Sequence, residues 1–146
     1  MKRYIFILTL FSVFAFSSCE IETSDNGDLD GFWHMVSVDT LDTGGRADYS
    51  EKLVFWSVQH KLLQLNDRTG AGKEVLCRFA HYGDSLRIYS PHEMSREPGG
   101  DIPLTDSTLL LPYGINSIDE HFKVEVLNNK NMVLKTHKIR LTFKKM

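Results

Sequence analysis

Apolar positions along this 146-residue chain fall into two regimes. Residues 4–16 form one continuous apolar run behind Lys2 and Arg3. From Gly31 onward the apolar residues come in short runs rich in Val, Leu, Phe, Trp and Thr, punctuated by Gly, Asn, Asp and Pro, with no sustained helical period. That is the pattern of half-buried strands separated by turns. The runs cover residues 32–40, 51–58, 61–66, 73–82, 85–90, 108–111, 120–127, 131–136 and 139–144, which predicts eight or nine strands.

Register tests this expectation. A two-residue turn at Gly83 and Asp84 sets Tyr82 opposite Ser85, His81 opposite Leu86, Phe79 opposite Ile88 and Cys77 opposite Ser90, so the apolar faces of both strands coincide. The other face then pairs Ala80 with Arg87 and Arg78 with Tyr89, as suits a surface in water. Further on, Phe122, Val124 and Val126 alternate with Lys123 and Glu125. A turn at His137 and Lys138 aligns Thr136 with Ile139, Leu134 with Leu141 and Met132 with Phe143. A meander of one-sided strands leaves exposed edges unless the sheet closes or packs on another. The expected fold is therefore all-β: a small antiparallel up-and-down barrel of about eight strands, with a two-sheet sandwich as the alternative. Residues 91–106 carry three of the four prolines and no periodicity, and are expected to form a long loop. One short helical turn fits residues 112–119.

The leading apolar run is too short to span a bilayer, which takes about 20 residues as a helix, and reads as a cleaved export signal. Phe16, Ser17, Ser18 and Cys19 resemble the lipobox of bacterial lipoproteins, with Phe16 where an aliphatic residue is usual. The resemblance implies removal of residues 1–18 and acylation of Cys19, hence a lipid bilayer as a partner. Residues 19–30 are polar and acidic, as expected of a flexible tether, leaving 31–146 as the domain. Acidic residues behind the cysteine resemble the surface-export signal of Bacteroidetes lipoproteins. The expected location is the outer membrane, facing the periplasm or displayed on the surface.

Charge and cysteines narrow the function. Loss of Lys2 and Arg3 with the leader takes the net charge from −2 to −4, and no basic patch stands out, so nucleic acid is not an expected partner. With Cys19 acylated, Cys77 has no disulfide partner, and between Val75 and Phe79 it reads as a buried inert thiol. The six histidines lack metal-site spacing, and His92 and Glu93 lack the second histidine of a zinc-peptidase helix. The glycines of residues 67–73 lack phosphate-loop spacing, and Asp119 and Glu120 would point to opposite faces of a strand. No catalytic residue, metal site or cofactor is expected.

Gly31-Phe32-Trp33 at the opening of the first strand, together with Arg140 in the last, resembles the lipocalin family, and the region as a whole resembles the small lipocalin-like domains of Bacteroidetes exported lipoproteins. The resemblance implies that Trp33 closes one end of the barrel with Arg140 packed over it. It also implies that a small hydrophobic ligand enters from the other end. Alternation nominates Met35, Phe55, Phe79, Ile88, Phe122, Val124 and Leu141 as ligand-binding wall, with Leu53 on the same face as Phe55. The expected function is a non-catalytic, membrane-anchored binder of a small apolar or amphipathic molecule. The alternative is a structural or protein-interaction lipoprotein whose barrel is filled by its own side chains.

Overall fold

The computed structural model describes residues 24–146; Cys19 and the expected export signal lie outside them. Ten strands form one antiparallel sheet: β1 (Gly31–Thr40), β2 (Arg46–Asp48), β3 (Val54–Gln59), β4 (Leu62–Asp67), β5 (Val75–Tyr82), β6 (Ser85–Glu93), β7 (Ile102–Pro103), β8 (Glu120–Leu127), β9 (Asn131–Lys135) and β10 (Ile139–Lys145). Neighbours run β10-β9-β8-β6-β5-β4-β3-β1, and β10 pairs back onto β1, so eight strands close a barrel. Closure removes both free edges that a meander would otherwise leave. The two remaining strands are short attachments, β2 along the second half of β1 and β7 along the end of β6.

The expected registers hold where turns are tight. Phe79 pairs with Ile88, His81 with Leu86 and Tyr82 with Ser85 around Gly83. Leu134 pairs with Leu141 and Met132 with Phe143. Three bulges interrupt the ladders, the first in β1, where Met35 lies opposite Phe143 but Ser37 opposite Thr142. In β6 the register shifts opposite Cys77, so that Leu76 faces His92, and Ser90 takes a positive φ of 52°. Pro91, which has no N–H to give a ladder, follows it in this bulge. In β8 the register shifts between Val124 and Val126, which leaves Val126 40% exposed and turns Leu127 toward the core.

Three expectations are corrected. Residues 108–111 are not a strand but part of a 3₁₀ segment, Ser107–Tyr113. Strand β3 presents Val54, Trp56 and Val58 to the core rather than Leu53 and Phe55, because Trp56 lies opposite Trp33 of β1 and shares its inward face. Phe55 instead stacks on Phe32 on the outer face, ring centroids 4.6 Å apart, with the Arg68 guanidinium 5.3 Å from its own centroid. That cover leaves Phe55 buried without making it interior. Finally, residues 24–30, expected to belong to a flexible tether, are bound to the domain. Asn26 donates to the His60 carbonyl (2.7 Å), Ser24 Oγ accepts from the His60 amide (2.7 Å), and Leu29 of a short 3₁₀ turn, Gly27–Leu29, is 1% exposed.

Candidate functional site: a sealed base and a plugged mouth

The up-and-down order sends the β3–β4, β5–β6 and β8–β9 turns, together with Ser24–Asp30 and the C-terminus, to one end, the base. All other connections lie at the mouth.

At the base, Trp33 is fully buried and its indole N–H donates to the Leu29 carbonyl at 2.8 Å. A cation does lie over it, but it is Lys145. The ammonium is 4.6 Å from the ring centroid and donates to the carbonyls of Asp28 (2.8 Å) and Asp30 (2.7 Å). The site therefore stitches the first and last strands to residues 28–30. Gly31 makes room for it: with φ at 134°, a Cβ there would come within 3.1 Å of Lys145 Cε. Arg140 is not part of this closure. It pairs with Asp39 across β1, five positions along the strand from Lys145, or about 17 Å at the rise of an extended chain. Its guanidinium donates to Glu125 on the outer surface, at 2.7 Å from Nε, and that ion pair holds the Glu125 carboxyl below the ordinary range. The signal that distinguishes the two is parity. Lys145 shares the inward face of Leu141 and Phe143, whereas Arg140 alternates with them.

The barrel axis is occupied by side chains. Trp56 lies 4.8 Å from Phe143 and 6.0 Å from Phe122 between ring centroids, and these three rings are at most 2% exposed. Of the expected ligand wall, Met35, Phe79, Ile88, Phe122 and Leu141 belong to this core, and Val124 packs against it partly buried. Cys77 sits among them at 1% exposure, and burial pushes its thiol up to about 12.

The mouth, expected to be the entrance, is plugged by the chain itself. Leu104, Leu110, Tyr113 and Ile115 are all buried there, at 7% exposure or less. Local sequence explains the shape. Asp106 caps the 3₁₀ segment by accepting from the Thr108 amide at 2.9 Å. Gly114 ends it in the left-handed region at φ 77°, where a Cβ would lie 2.6 Å from Leu141 Cδ2. The plug is latched from both sides: the Trp56 indole N–H donates to the Tyr113 carbonyl (3.2 Å) and the Tyr113 hydroxyl to the Lys73 carbonyl (2.5 Å). Burial, reinforced by Asp67 and Glu74, raises the phenol to about 12. Sequence reasoning missed the plug because a four-residue apolar run has no readable period. The Asp106-x-Thr108 cap and Gly114 are the signals that bracket it.

Beside the plug a cleft of about 330 Å³ opens at the mouth, lined by Tyr49, Lys52, Val54, Asp67, Thr69, Ala71 and Pro112. Its wall is mainly apolar. The Lys52 ammonium stands 3.9 Å over the Tyr49 ring at its edge. Among the described residues no three His, Cys, Asp or Glu side chains gather as metal ligands.

A closed eight-stranded meander with a buried Gly-x-Trp at its base and a cation over the indole defines a barrel of the lipocalin type. The comparisons agree. The model of the family described as "Lipocalin-like domain" matches residues 14–146, so the chain belongs to that family. Two crystal structures share the fold. One is a lipocalin-like protein from Bacteroides uniformis ATCC 8492, 19% identical, with 82% of this chain and all (100%) of that one covered at a TM-score of 0.63. The other is an uncharacterized protein from Bacteroides eggerthii DSM 20697, 18% identical, covering 80% and 98% at a TM-score of 0.55. No curated protein matches the chain.

Proposed function

We propose that this chain is an exported, acyl-anchored binding protein without catalytic activity, and that it takes a small apolar or amphipathic molecule at the barrel mouth. The cleft beside the plug carries this reading. Its volume of about 330 Å³ is that of a small-molecule site. A mainly apolar wall with a few polar groups at its edge is the usual make-up of such sites, and barrel mouths are a usual place for them. The core offers nothing comparable. The side chains expected to hold a ligand there pack instead against Trp56, Phe143 and the plug, and its Cys77 thiol stays protonated at neutral pH. The barrel is a generally non-catalytic scaffold. Anchoring rests on Cys19 behind the leader's apolar run, and outer-membrane location, with surface display, on the acidic residues Glu20 and Glu22 that follow.

Native mass spectrometry of the protein purified from its own cells tests the binding reading. A co-purified small molecule is expected in the unaltered protein, and its loss in Ala71→Trp, which fills the cleft from an exposed loop position. A ligand retained by Ala71→Trp lies elsewhere and overturns the assignment. Mass analysis of the N-terminal peptide tests acylation of Cys19, and protease shaving of intact cells tests surface display.

One observation favours a second reading, that of a protein-interaction lipoprotein with a filled barrel. The axis already holds Trp33, Trp56, Tyr113, Phe122 and Phe143. In that case no ligand co-purifies, and deletion of residues 94–100, at the tip of the loop between β6 and β7, abolishes a crosslinked partner that the intact chain captures.

A further inference from the structure

We propose that the base of the barrel is a membrane-docking face, seated on the lipid surface to which Cys19 anchors the chain. The inference rests on the acyl-anchor reading above and adds an orientation and a contact surface. Only four residues separate Cys19 from Ser24, five Cα-to-Cα steps that reach at most about 18 Å fully extended. Ser24 is itself fixed to the base, because its hydroxyl accepts from the His60 amide at 2.7 Å. The leash therefore starts on the base and is shorter than the barrel is tall. With strands of eight to ten residues in β1, β5, β6 and β8, tilted as barrel strands are, that height is about 20 to 25 Å.

The chemistry of the base suits the same surface. Tyr82, beside the β5–β6 turn, is 79% exposed and Met146 74%. Lys61, Lys130 and Lys144 stand around them, exposed, on the turns and strand end of the same face. A tyrosine among lysines suits the headgroup layer, where the ring enters the interface and the ammonium groups stay with phosphates. A polar cleft of about 340 Å³ whose lining includes Asp25, Asn26, Lys61, His81, Tyr82 and Tyr89 opens there; Lys61 offers headgroups a cation in this recess, and Asp25 offsets part of its charge. The mouth is mixed in charge, with exposed Asp42, Glu97, Asp101 and Asp106 set among exposed Arg46, Arg68, Arg96 and Lys138, so the short leash rather than charge chooses the base over the mouth. Asp25, Asp28 and Asp84 temper the base, so the field alone is modest and the anchor supplies the local concentration.

The test uses the full acylated protein in vesicles of phosphatidylethanolamine and phosphatidylglycerol carrying a spin-labelled quencher lipid. Tyr82→Cys and, separately, Ala71→Cys are labelled with a fluorophore. Acylated Cys19 and deeply buried Cys77, its thiol pushed up to about 12, do not compete for the label. Quenching is expected at position 82 and not at 71. Lys61→Gln or Lys130→Gln should each weaken docking about five-fold, the effect of one lysine near an anionic surface. Equal quenching at both positions, or none at 82, overturns docking while leaving the anchor intact. A label at 82 shielded from aqueous quencher but untouched by the lipid quencher identifies a protein occupant instead and overturns the lipid assignment. Absence of acyl mass on Cys19 overturns the anchor reading, and this one with it.

Discussion

Replacing Lys145 by Met keeps the alkyl stem that lies against Gly31 and removes only the ammonium. Two charge-assisted hydrogen bonds, to Asp28 O and Asp30 O, are lost together with the contact to the Trp33 ring at 4.6 Å. Hydrogen bonds from charged donors contribute about 1.5 to 3 kcal/mol each when buried. Lys145 is only half-buried, and water can reach the Asp28 carbonyl, so a lower value applies. Allowing about 1 kcal/mol for each bond and about 0.5 kcal/mol for the ring contact, the loss is between 2 and 3 kcal/mol, or roughly 8 to 12 °C in Tm for a domain of this size. The comparison that gives the number meaning is Arg140→Met, which removes an ion pair open to water on the outer face and should move the midpoint little. Urea unfolding followed by tryptophan fluorescence measures both, with Trp33 beside the altered site. An Arg140→Met midpoint that falls as far as that of Lys145→Met refutes the assignment of Lys145 as the closing cation.

Other expectations concern the mouth and the core. Gly114→Ala introduces a Cβ 2.6 Å from Leu141 Cδ2 at a positive φ and should cost about 2 to 3 kcal/mol, read as a lower urea midpoint; an unchanged midpoint would mean that the plug is not pressed against Leu141. Trp56→Ala removes the ring that touches Phe143 and latches Tyr113. It should cost about 3 to 5 kcal/mol and speed proteolysis within residues 104–115, whereas Phe55→Ala, on the outer face, should leave that segment protected. Cys77 and Tyr113 both have pKa values raised to about 12, from 9.0 and 10.0. Each favours the folded state fully below its unfolded value and loses that contribution as pH rises to 12, so Tm should decline across this alkaline window. In Tyr113→Phe the decline should be shallower, and an equally steep one would show that the phenol is not the group responsible.

The strands and most of their pairings were legible because a turn of known length fixes register and register fixes which face is buried. Around Gly83 and around His137 this logic carried through to named partners. It failed at β3, where Leu53 and Phe55 on one face are as apolar as Val54 and Trp56 on the other, and only Ser57 distinguishes the two. It failed again at the bulges of β6 and β8, since one extra residue reverses the inward set beyond it. The candidate site was less legible than the fold. Met35, Phe79 and Leu141 were correctly placed inside, yet which side chains fill an interior depends on what else arrives there, and the plug comes from a stretch with no period.

By itself, the sequence determined the all-β class, the lipocalin-type opening at Gly31-Phe32-Trp33 and the candidate anchor at Cys19, because each is local: a period, a turn or a short motif. Tertiary structure alone decided that Lys145 rather than Arg140 crosses to Trp33, that Trp56 occupies the axis, and that residues 104–115 close the mouth. Those outcomes depend on the pairing of β1 with β10 and on the volume left inside the closed barrel. Both are set only when residues more than a hundred positions apart, such as Asp30 and Lys145, come within hydrogen-bond distance.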